Sequence, residues 1–247
     1  MKHVNQIEYQ VYGKYALFSD PVTRVGGEKY SYPVPTYQAL KGITESIYWK
    51  PTFLWVIDSV RIMMPIRTES KNMRPIQYNG GNTLSIYNYL RDVNYHVKAH
   101  FEWNENRPEL ANDRNENKHY FIAKRMIEKG GRRDIFLGTR ECQGYVEPCS
   151  FDDGDGYYND WAEMNFGVML HGISYADESS DGCMRVRLWR PEMRYGVIDF
   201  VRPDDCEIIR KVRNQTASSF CEGTNFSSCD GLFRREGGID ELDAETM

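Results

Sequence analysis

The stretch NENKHYFIAKRMIEKGG, residues 115–131, predicts the second helix of the chain, and this helix decides the fold. Its apolar side chains recur at helical spacing and form one stripe: Ile122, Ala123, Met126 and Ile127. Asn112 or Asp113 precedes the stretch as a candidate N-cap, and Gly130-Gly131 can end the helix. A helix at this point separates two strand-like segments and makes the chain a mixture of helices and strands.

The segments around this helix alternate in type. Strand-like runs cover residues 3–18, 52–64, 84–103 and 134–142. Between the first two lies a helical segment that Thr36 can cap, and it must stop near Lys50 because Pro51 disfavours helix in the residue before it. The order β-α-β-β-α-β predicts an α+β, ferredoxin-like (RRM-like) domain over residues 1–145.

The rest of the chain has a different pattern. Short strand-like runs separated by acidic or glycine-containing turns predict a small C-terminal antiparallel β-rich subdomain at residues 146–205. From residue 206 the pattern fades, and residues 206–247 are expected to be an irregular, partly mobile acidic tail.

Composition indicates a globular protein with one large domain, or one domain and an appendage. Hydrophobic residues make up 40% of the 247 residues and charged residues 27%, which is ordinary for a soluble chain. No apolar run approaches the roughly 20 residues that span a bilayer, and the start has no apolar core of a signal peptide. We expect a cytoplasmic protein without a membrane partner.

The cysteines do not suggest a metal site. None of the six forms a C-x-x-C pair, and reduced thiols are expected in the cytoplasm. The sequence therefore predicts neither a metal nor another cofactor.

Charge is unevenly distributed along the chain. Residues 1–150 hold 21 Lys and Arg against 16 Asp and Glu, a balance of +5, and residues 151–247 hold 10 against 20, a balance of −10. A positive N-terminal part suits a polyanion such as RNA. Ordinary scatter of charge explains the same numbers equally well, so both interpretations stay open.

Lys118 and His119 stand side by side at the start of the second helix. His119 falls inside the apolar stripe and Lys118 lies at its rim, so the pair can be a packed histidine and a solvated lysine. The alternative is chemical. A helix N-terminus and partial burial both keep an imidazole neutral, and it can then accept a proton near pH 7. The neighbouring ammonium can stabilise an anion, so the two groups fit transesterification of RNA.

A set of motifs in this order resembles a known family. The segments are YALFSDP, GGEKYSYPVPTYQALKGI, SIYWKPTFLW, DSVRIM, NKHYFIAKRMIEKGG and LGTREC, with WRPEMRYGVIDF as a weaker match. Together they resemble the type I-C (Dvulg-subtype) Cas-five proteins of CRISPR systems, within the RAMP superfamily. The similarity runs through about residues 9–145.

The resemblance implies an activity and partners. Members of this family cut CRISPR precursor RNA at the repeat hairpin without metal, and they stay on the 5′ handle of the mature guide RNA. They do so as a subunit of the surveillance complex (Cascade), with its backbone and large subunits and, after assembly, target DNA. The family's catalytic residues correspond to Tyr48, Lys118 and His119. A non-catalytic subunit that caps the guide RNA is the alternative, and a protein scaffold independent of nucleic acid is a third.

One geometric difficulty accompanies this triad. In a simple β-α-β-β-α-β fold both helices run in the same direction, so the end of one and the start of the other lie ~20 Å apart. Tyr48 can meet the Lys118-His119 pair only if the second helix is shifted or the first ends early.

Candidate RNA-binding residues occur in several loops. Glycines let the main chain approach a phosphate closely, arginines and lysines supply positive charge, and a tryptophan ring can stack on a base. An ordinary solvated role is about as probable for each. The candidates are Arg24, Gly26, Gly27, Lys29, Trp49, Lys50, Arg132, Arg133 and Arg140.

Overall fold

A computed structural model describes residues 5–179, 182–217 and 219–230 of the chain. Its first part contains seven strands and two helices. In chain order they are β1 (Ile7–Ala16), β2 (Lys29–Tyr30), α1 (Tyr37–Ile47), β3 (Phe53–Ile62), β4 (Thr68–Met73), β5 (Ser85–Trp103), α2 (Glu116–Glu128), β6 (Ile135–Phe136) and β7 (Gln143–Pro148). Short 3-10 helices cover Thr23–Gly26 and Pro108–Asp113.

The second part of the described chain consists of short strands. They are β8 (Met164–Asn165), β9 (Met169–Ser174), β10 (Cys183–Trp189), β11 (Glu192–Arg194), β12 (Val197–Asp199) and β13 (Ile208–Asn214). A further 3-10 turn covers Pro203–Asp205. Among the described residues no helix has the length and hydropathy that crossing a membrane requires.

The strands form two sheets. The large sheet has the order β6-β7-β1-β5-β3-β12-β11-β8. Strands β2 and β4 also belong to it and pair with residues 85–90, the N-terminal part of β5. Every pairing in it is antiparallel except that of β2 with β5. The small sheet has the order β13-β10-β9 and is antiparallel throughout. The fold is therefore a mixed α/β fold built on mostly antiparallel sheets.

The core lies between the large sheet and the two helices. Strand β1 buries every second residue at its start, so Ile7, Tyr9 and Val11 all face inward. The apolar stripe predicted for the second helix is buried as expected, with Ile122 and Ala123 fully covered. Burial of this stripe holds α2 against the sheet and thereby fixes where its first turn points.

The predicted fourth strand is partly wrong. Residues 134–142 were expected to be one strand, but only Ile135–Phe136 pair, and β7 takes the place beside β1. A turn interrupts the run, because Leu137 N donates to Cys142 O at 2.8 Å. Gly138 has φ +95° there, and a Cβ on it would lie 2.1 Å from Leu17 O. Glycine is required at this position, and the chain reverses instead of continuing the strand.

Strands β4 and β13 are among the strands that the sequence pattern does not predict. Strand β4 pairs with β5, but its sequence TESKNM is polar and carries no apolar alternation. Strand β13 lies within residues 206–247, for which the sequence pattern predicts irregular structure, because almost all residues of this strand are exposed. The acidic ending, residues 231–247, lies outside the described residues.

The small sheet is joined to α1 through a buried histidine. The His171 ring of β9 stacks on Tyr37 of α1, with ring centroids 4.3 Å apart and an angle of 18°. Its Nε2 donates to Val201 O at 2.9 Å, since a carbonyl can only accept. Burial, and then the nearby Arg187 guanidinium, lower the pKa of His171 to about 4. The imidazole is therefore neutral in the folded protein at neutral pH.

This histidine makes stability depend on pH. Between pH ~6.5 and about 4 the unfolded chain binds a proton at His171 and the folded chain does not, so stability is lost as the pH falls. We expect His171 to contribute a decrease of roughly 3 kcal/mol in the free energy of unfolding over this range. Chemical denaturation at pH 7 and pH 4 measures it. His171→Gln, which can still donate to Val201 O, should be less pH-dependent than wild type, and equal pH profiles contradict the assignment.

Candidate active site at the end of the first helix

Tyr48 lies at the point where α1 ends. Thr36 caps the start of this helix as predicted, because its Oγ1 accepts from Ala39 N at 3.1 Å. The helix ends at Ile47, and Tyr48 is already extended with φ −155° and ψ 131°. The indole of Trp55 donates to Tyr48 O at 2.7 Å and holds this carbonyl in place. The phenol therefore leaves the helix axis and points into the core.

The Lys118-His119 pair lies in the first turn of α2. The N-cap is Asn115, whose Oδ1 accepts from Lys118 N at 3.1 Å, so the prediction of Asn112 or Asp113 as the cap was wrong. Asp113 is used differently, because it ends the 3-10 helix Pro108–Asp113 that precedes α2. His119 is fully buried and the Lys118 side chain is about one quarter exposed.

Tyr48 and His119 are in direct contact. The Tyr48 hydroxyl lies 2.8 Å from His119 Nδ1, and His119 Nε2 lies 2.8 Å from the main-chain carbonyl of Asp113. A carbonyl oxygen only accepts, so Nε2 carries the proton in the neutral imidazole. Nδ1 is then the acceptor and the phenol is the donor. The main chain at Asp113 thus sets the tautomer in which His119 can take a proton from Tyr48.

Burial controls the charge of both groups. It is the main cause that lowers the pKa of His119 below its ordinary value, although hydrogen bonding to Asp113 opposes it. Burial likewise raises the pKa of Tyr48 far above its usual range. Aromatic rings surround the imidazole, and the Phe53 centroid is 5.1 Å away. At neutral pH the pair is therefore a neutral imidazole and a protonated phenol.

The contact resolves the geometric difficulty of the sequence analysis. The loop after α2 is tied to the last turn of α1, because Arg132 N donates to Ile47 O at 3.1 Å and Arg133 N to Ser46 O at 3.0 Å. These bonds place the end of α2 at the end of α1. The Tyr48 side chain itself reaches the first turn of α2, because the helix ends at Ile47 and the Tyr48 hydroxyl lies 2.8 Å from His119 Nδ1.

Asp113 organises the side of the site opposite Tyr48. Its carboxylate is buried and accepts from Thr52 Oγ1 at 2.9 Å and from Cys229 N at 2.6 Å. One carboxylate oxygen lies 3.6 Å from His119 Nε2. The residue therefore connects β3, the start of α2 and the C-terminal part of the described chain.

The residue types of this cluster could in principle hold a metal. One ligand atom each from Asp113, His119 and Cys229 lies within 4.8 Å of the other two. The chemistry of these atoms favours hydrogen bonding, because the carboxylate and the imidazole already have protein partners. Burial raises the pKa of the Cys229 thiol to about 12, so this thiol is protonated in the folded protein at neutral pH. We describe the three groups as a hydrogen-bonded cluster.

Two cations and one aromatic ring flank the pair. Lys118 forms an ion pair with Asp230, and Lys50 is buried with its ammonium on Ser227 O. Burial lowers the pKa of Lys50. Trp49 lies partly exposed beside them and contacts the Phe220 ring. The structure therefore places the Lys118 and Lys50 ammonium groups at the site, and Trp49 lies between Tyr48 and Lys50 in the chain.

Most of the other candidate RNA-binding residues lie elsewhere on the surface. Arg132 and Arg133 line a groove with Tyr145, at the end of α2 and along β7. Arg24 lines a different groove beside Thr139, and Arg140 is exposed in the following turn. Lys29 places its ammonium 4.6 Å from the Tyr87 ring, next to the loop of Gly26 and Gly27. Arg132 lies near the site, because its guanidinium opposes the rise in the pKa of Tyr48 that burial causes. The role of all these residues in RNA binding stays a prediction.

Several residues of the site were not identified from the sequence. Thr52 carries no local signal, and Asp113 was noticed only as a possible helix cap. Ser227, Cys229 and Asp230 contact the site from more than 100 residues away in sequence. No periodicity or motif within one segment reports such contacts.

Comparisons with known proteins show which family and which relatives this chain resembles. A family model described as CRISPR-associated protein (Cas_Cas5) matches residues 6–201. A Mannheimia succiniciproducens protein named CRISPR pre-crRNA endoribonuclease Cas5d is 29% identical over 224 residues, covering 79% of this chain and 94% of that protein. A Thermus thermophilus protein with the same name is 30% identical over 183 residues, covering 70% and 75%. A solved structure described as a CRISPR-associated protein is similar with a TM-score of 0.68 and 36% identity, covering 83% of this chain and 96% of that chain.

Proposed function

Because this chain belongs to the Cas5d family of CRISPR-associated proteins, we propose that it is an endoribonuclease that cuts CRISPR precursor RNA at the repeat hairpin. The observation that carries the assignment of the site is the contact between Tyr48 and His119, with Lys118 beside it. A proton-transfer pair and a cation next to one another are what cleavage of RNA by its own 2′-hydroxyl requires.

The reaction is a transesterification. The ribose 2′-OH loses its proton, its oxygen bonds to the adjacent phosphorus, and the bond from phosphorus to the 5′-oxygen breaks. The leaving oxygen takes up a proton. The products are a 2′,3′-cyclic phosphate and a 5′-hydroxyl. Lys118 would neutralise the additional negative charge of the phosphorane between these steps.

Both ring nitrogens of His119 are already engaged, and this suggests how the proton moves. Nε2–H is held by Asp113 O and Nδ1 accepts from the Tyr48 hydroxyl. We place Tyr48 between His119 and the RNA, so that the phenol exchanges its proton with the substrate and the imidazole with the phenol. Asp113 would orient the imidazole throughout.

Cleavage in the absence of metal tests this function. Purified protein is incubated with a repeat-hairpin RNA in excess EDTA, and the product ends are identified. We expect cleavage at one position, with a 2′,3′-cyclic phosphate on the upstream fragment. A substrate with a 2′-deoxy nucleotide at the cleavage position should remain uncut. Loss of cleavage in EDTA that returns with Mg²⁺ contradicts the mechanism, because none of its steps uses a metal.

We further propose that the protein keeps the 5′ handle of the mature guide RNA and caps it in the surveillance complex. Exposed basic side chains that line a groove at the end of α2 favour a role in RNA binding that continues after cleavage; they are Arg132 and Arg133. Co-expression with the backbone and large subunits should yield a complex that contains the guide RNA and can hold target DNA. A chain that copurifies with neither RNA nor these subunits contradicts this role.

Binding of RNA should depend on salt and on the loop at Gly26-Gly27. The logarithm of the affinity is expected to fall with the logarithm of salt concentration by about 0.7 per phosphate contact to single-stranded RNA. Arg24→Ala and Lys29→Ala should each weaken binding and reduce this slope if the loop holds phosphate. Arg190→Ala, an exposed arginine of the second part of the chain, is the matched control. Unchanged affinity in both loop variants removes this loop from the RNA site.

We also propose that the first part of the chain is a ferredoxin-like domain. The central order β7-β1-β5-β3, with α1 after β1 and α2 after β5, is the arrangement that supports it. Strand β12 continues the same sheet beside β3, so the second part packs onto this domain edge to edge. The boundary near residue 145 stays a prediction.

A further inference from the structure

Residues 219–230, here called the C-terminal strap, lie across the candidate active site. They follow β13 and form a compact turn of their own. The Asn225 side chain closes this turn, since it accepts from Cys221 N at 2.8 Å and donates to Ser219 O at 3.1 Å. The strap also lies outside the family match, which ends at residue 201. Its contacts with the site are therefore a feature of this chain beyond the matched region.

The strap engages both cations of the site with oxygen atoms. The Asp230 carboxylate pairs with the Lys118 ammonium, and the Ser227 carbonyl accepts from the Lys50 ammonium. The Phe226 ring lies 5.2 Å from the Lys50 nitrogen. Phosphate oxygens of RNA would make the same kinds of contact with lysine.

An aromatic ring of the strap covers the stacking candidate. The Phe220 and Trp49 ring centroids are 6.0 Å apart with an angle of 56°. Phe220 also contacts the Arg107 guanidinium, whose carbon lies 5.1 Å from the ring centroid. An unpaired RNA base is recognised by this kind of aromatic and guanidinium contact.

The strap also packs beside the proton-transfer pair. Cys229 is buried, with 2% of its surface exposed, and its main-chain N–H donates to the Asp113 carboxylate at 2.6 Å. Tyr48 and His119 are both fully buried in this arrangement. An RNA phosphate cannot reach the Tyr48 hydroxyl while the strap is seated, since no side-chain surface of either residue is exposed.

We propose that the C-terminal strap occupies the RNA site of the free protein and that repeat RNA displaces it. The inference rests on the proposed function, because it takes Tyr48, Lys118 and His119 as the groups that RNA must reach. The Asp230 carboxylate then marks the position of the scissile phosphate, the Ser227 carbonyl marks a neighbouring phosphate, and Phe220 marks an unpaired base on Trp49. RNA and strap compete for one site.

Competition predicts that a weaker strap gives tighter RNA binding. The apparent dissociation constant equals the intrinsic one divided by the fraction of protein with an open site. Asp230→Ala removes the contact with Lys118, so more of the protein should be open. We expect about threefold to tenfold tighter binding of a repeat hairpin whose cleavage position is 2′-deoxy. Glu222→Ala, an exposed acid in the same turn, makes the same change of charge without touching the site and is the matched control.

Binding that is equal in Asp230→Ala and Glu222→Ala overturns the proposal, because general electrostatics would then explain any gain. Hydrogen exchange of the full chain gives a second measurement. The amide of Cys229, protected by Asp113 in the free protein, should exchange faster when the 2′-deoxy hairpin is bound. Equal or slower exchange in the complex also overturns the proposal.

The outcomes separate this inference from the proposed function. Cleavage of RNA by wild type while the strap stays protected removes the strap from the RNA site and leaves the nuclease in place. Release of the strap by RNA without any cleavage refutes the nuclease and supports the strap as the occupant of an RNA-binding site. If the protein neither binds nor cleaves the hairpin, both the strap proposal and the proposed function are refuted.

Discussion

His119→Ala is expected to slow cleavage of the repeat hairpin by roughly 10²-fold or more, as the loss of a positioned proton-transfer group does. The variant removes the acceptor of the Tyr48 hydroxyl and leaves Asp113 O without its donor. Single-turnover rates with saturating RNA measure the effect on chemistry alone. Affinity for the hairpin should change little, because phosphate contacts elsewhere supply most of it.

Because His119 is buried, its replacement also affects folding, and a second variant separates the two effects. Tyr48→Phe keeps the ring in the core and removes only the hydroxyl that contacts Nδ1. If His119 acts through this hydroxyl, Tyr48→Phe should be slowed about as much as His119→Ala, and the double variant little more than either. Thermal melting shows which variants remain folded at the assay temperature. A folded Tyr48→Phe protein that cuts at the wild-type rate contradicts the relay through Tyr48.

Local features of this fold were accessible from the sequence because they have local causes. The Thr36 cap, the end of α1 before Pro51 and the buried stripe of α2 each depend on residues within one or two turns. The polar strand β4 and the exposed strand β13 were not predictable in this way. Each is a strand because it pairs with another strand, β5 or β10, and its own sequence has no apolar alternation. The turn at Gly138 depends on a close approach to Leu17, which is 121 positions away (138 − 17).

The site shows the same division. The adjacency of Lys118 and His119 is a fact of sequence, and the neutral state expected for His119 agrees with the lowering of its pKa by burial. The approach of Tyr48 depends on how two helices pack, and simple topology placed it at the wrong end. The roles of the Asp113 carboxylate and the C-terminal strap were not predictable from the sequence. The contacts of Asp113 with Thr52 and Cys229 join segments that are far apart in the chain. Functional groups that lie in one segment could be predicted from the sequence. Contacts between segments that are distant in the chain could not.

Lys118→Ala is the second variant expected to have a large effect, again roughly 10²-fold or more in the single-turnover rate. Its ammonium is the group placed to neutralise the phosphorane. Its ion-pair partner Asp230 is about half exposed and can be hydrated instead, so the loss of Lys118 should leave folding almost unchanged. This separates it from His119→Ala, in which lost activity and lost stability are mixed. Lys124→Ala is the matched control, because Lys124 lies on the same helix and its ammonium is next to Tyr120, away from the site.

Two opposing effects on RNA binding accompany this change. Loss of the ammonium removes a phosphate contact, and loss of the ion pair with Asp230 loosens the C-terminal strap. The affinity of Lys118→Ala is therefore expected to stay near that of wild type while the rate at saturating RNA falls. If a higher RNA concentration restores the cleavage rate of Lys118→Ala, Lys118 acts in binding alone. An interaction made only in the transition state lowers the rate at every RNA concentration. If Lys118→Ala cuts as fast as Lys124→Ala at saturation, Lys118 is an ordinary surface lysine and the proposed mechanism loses its charge-stabilising group.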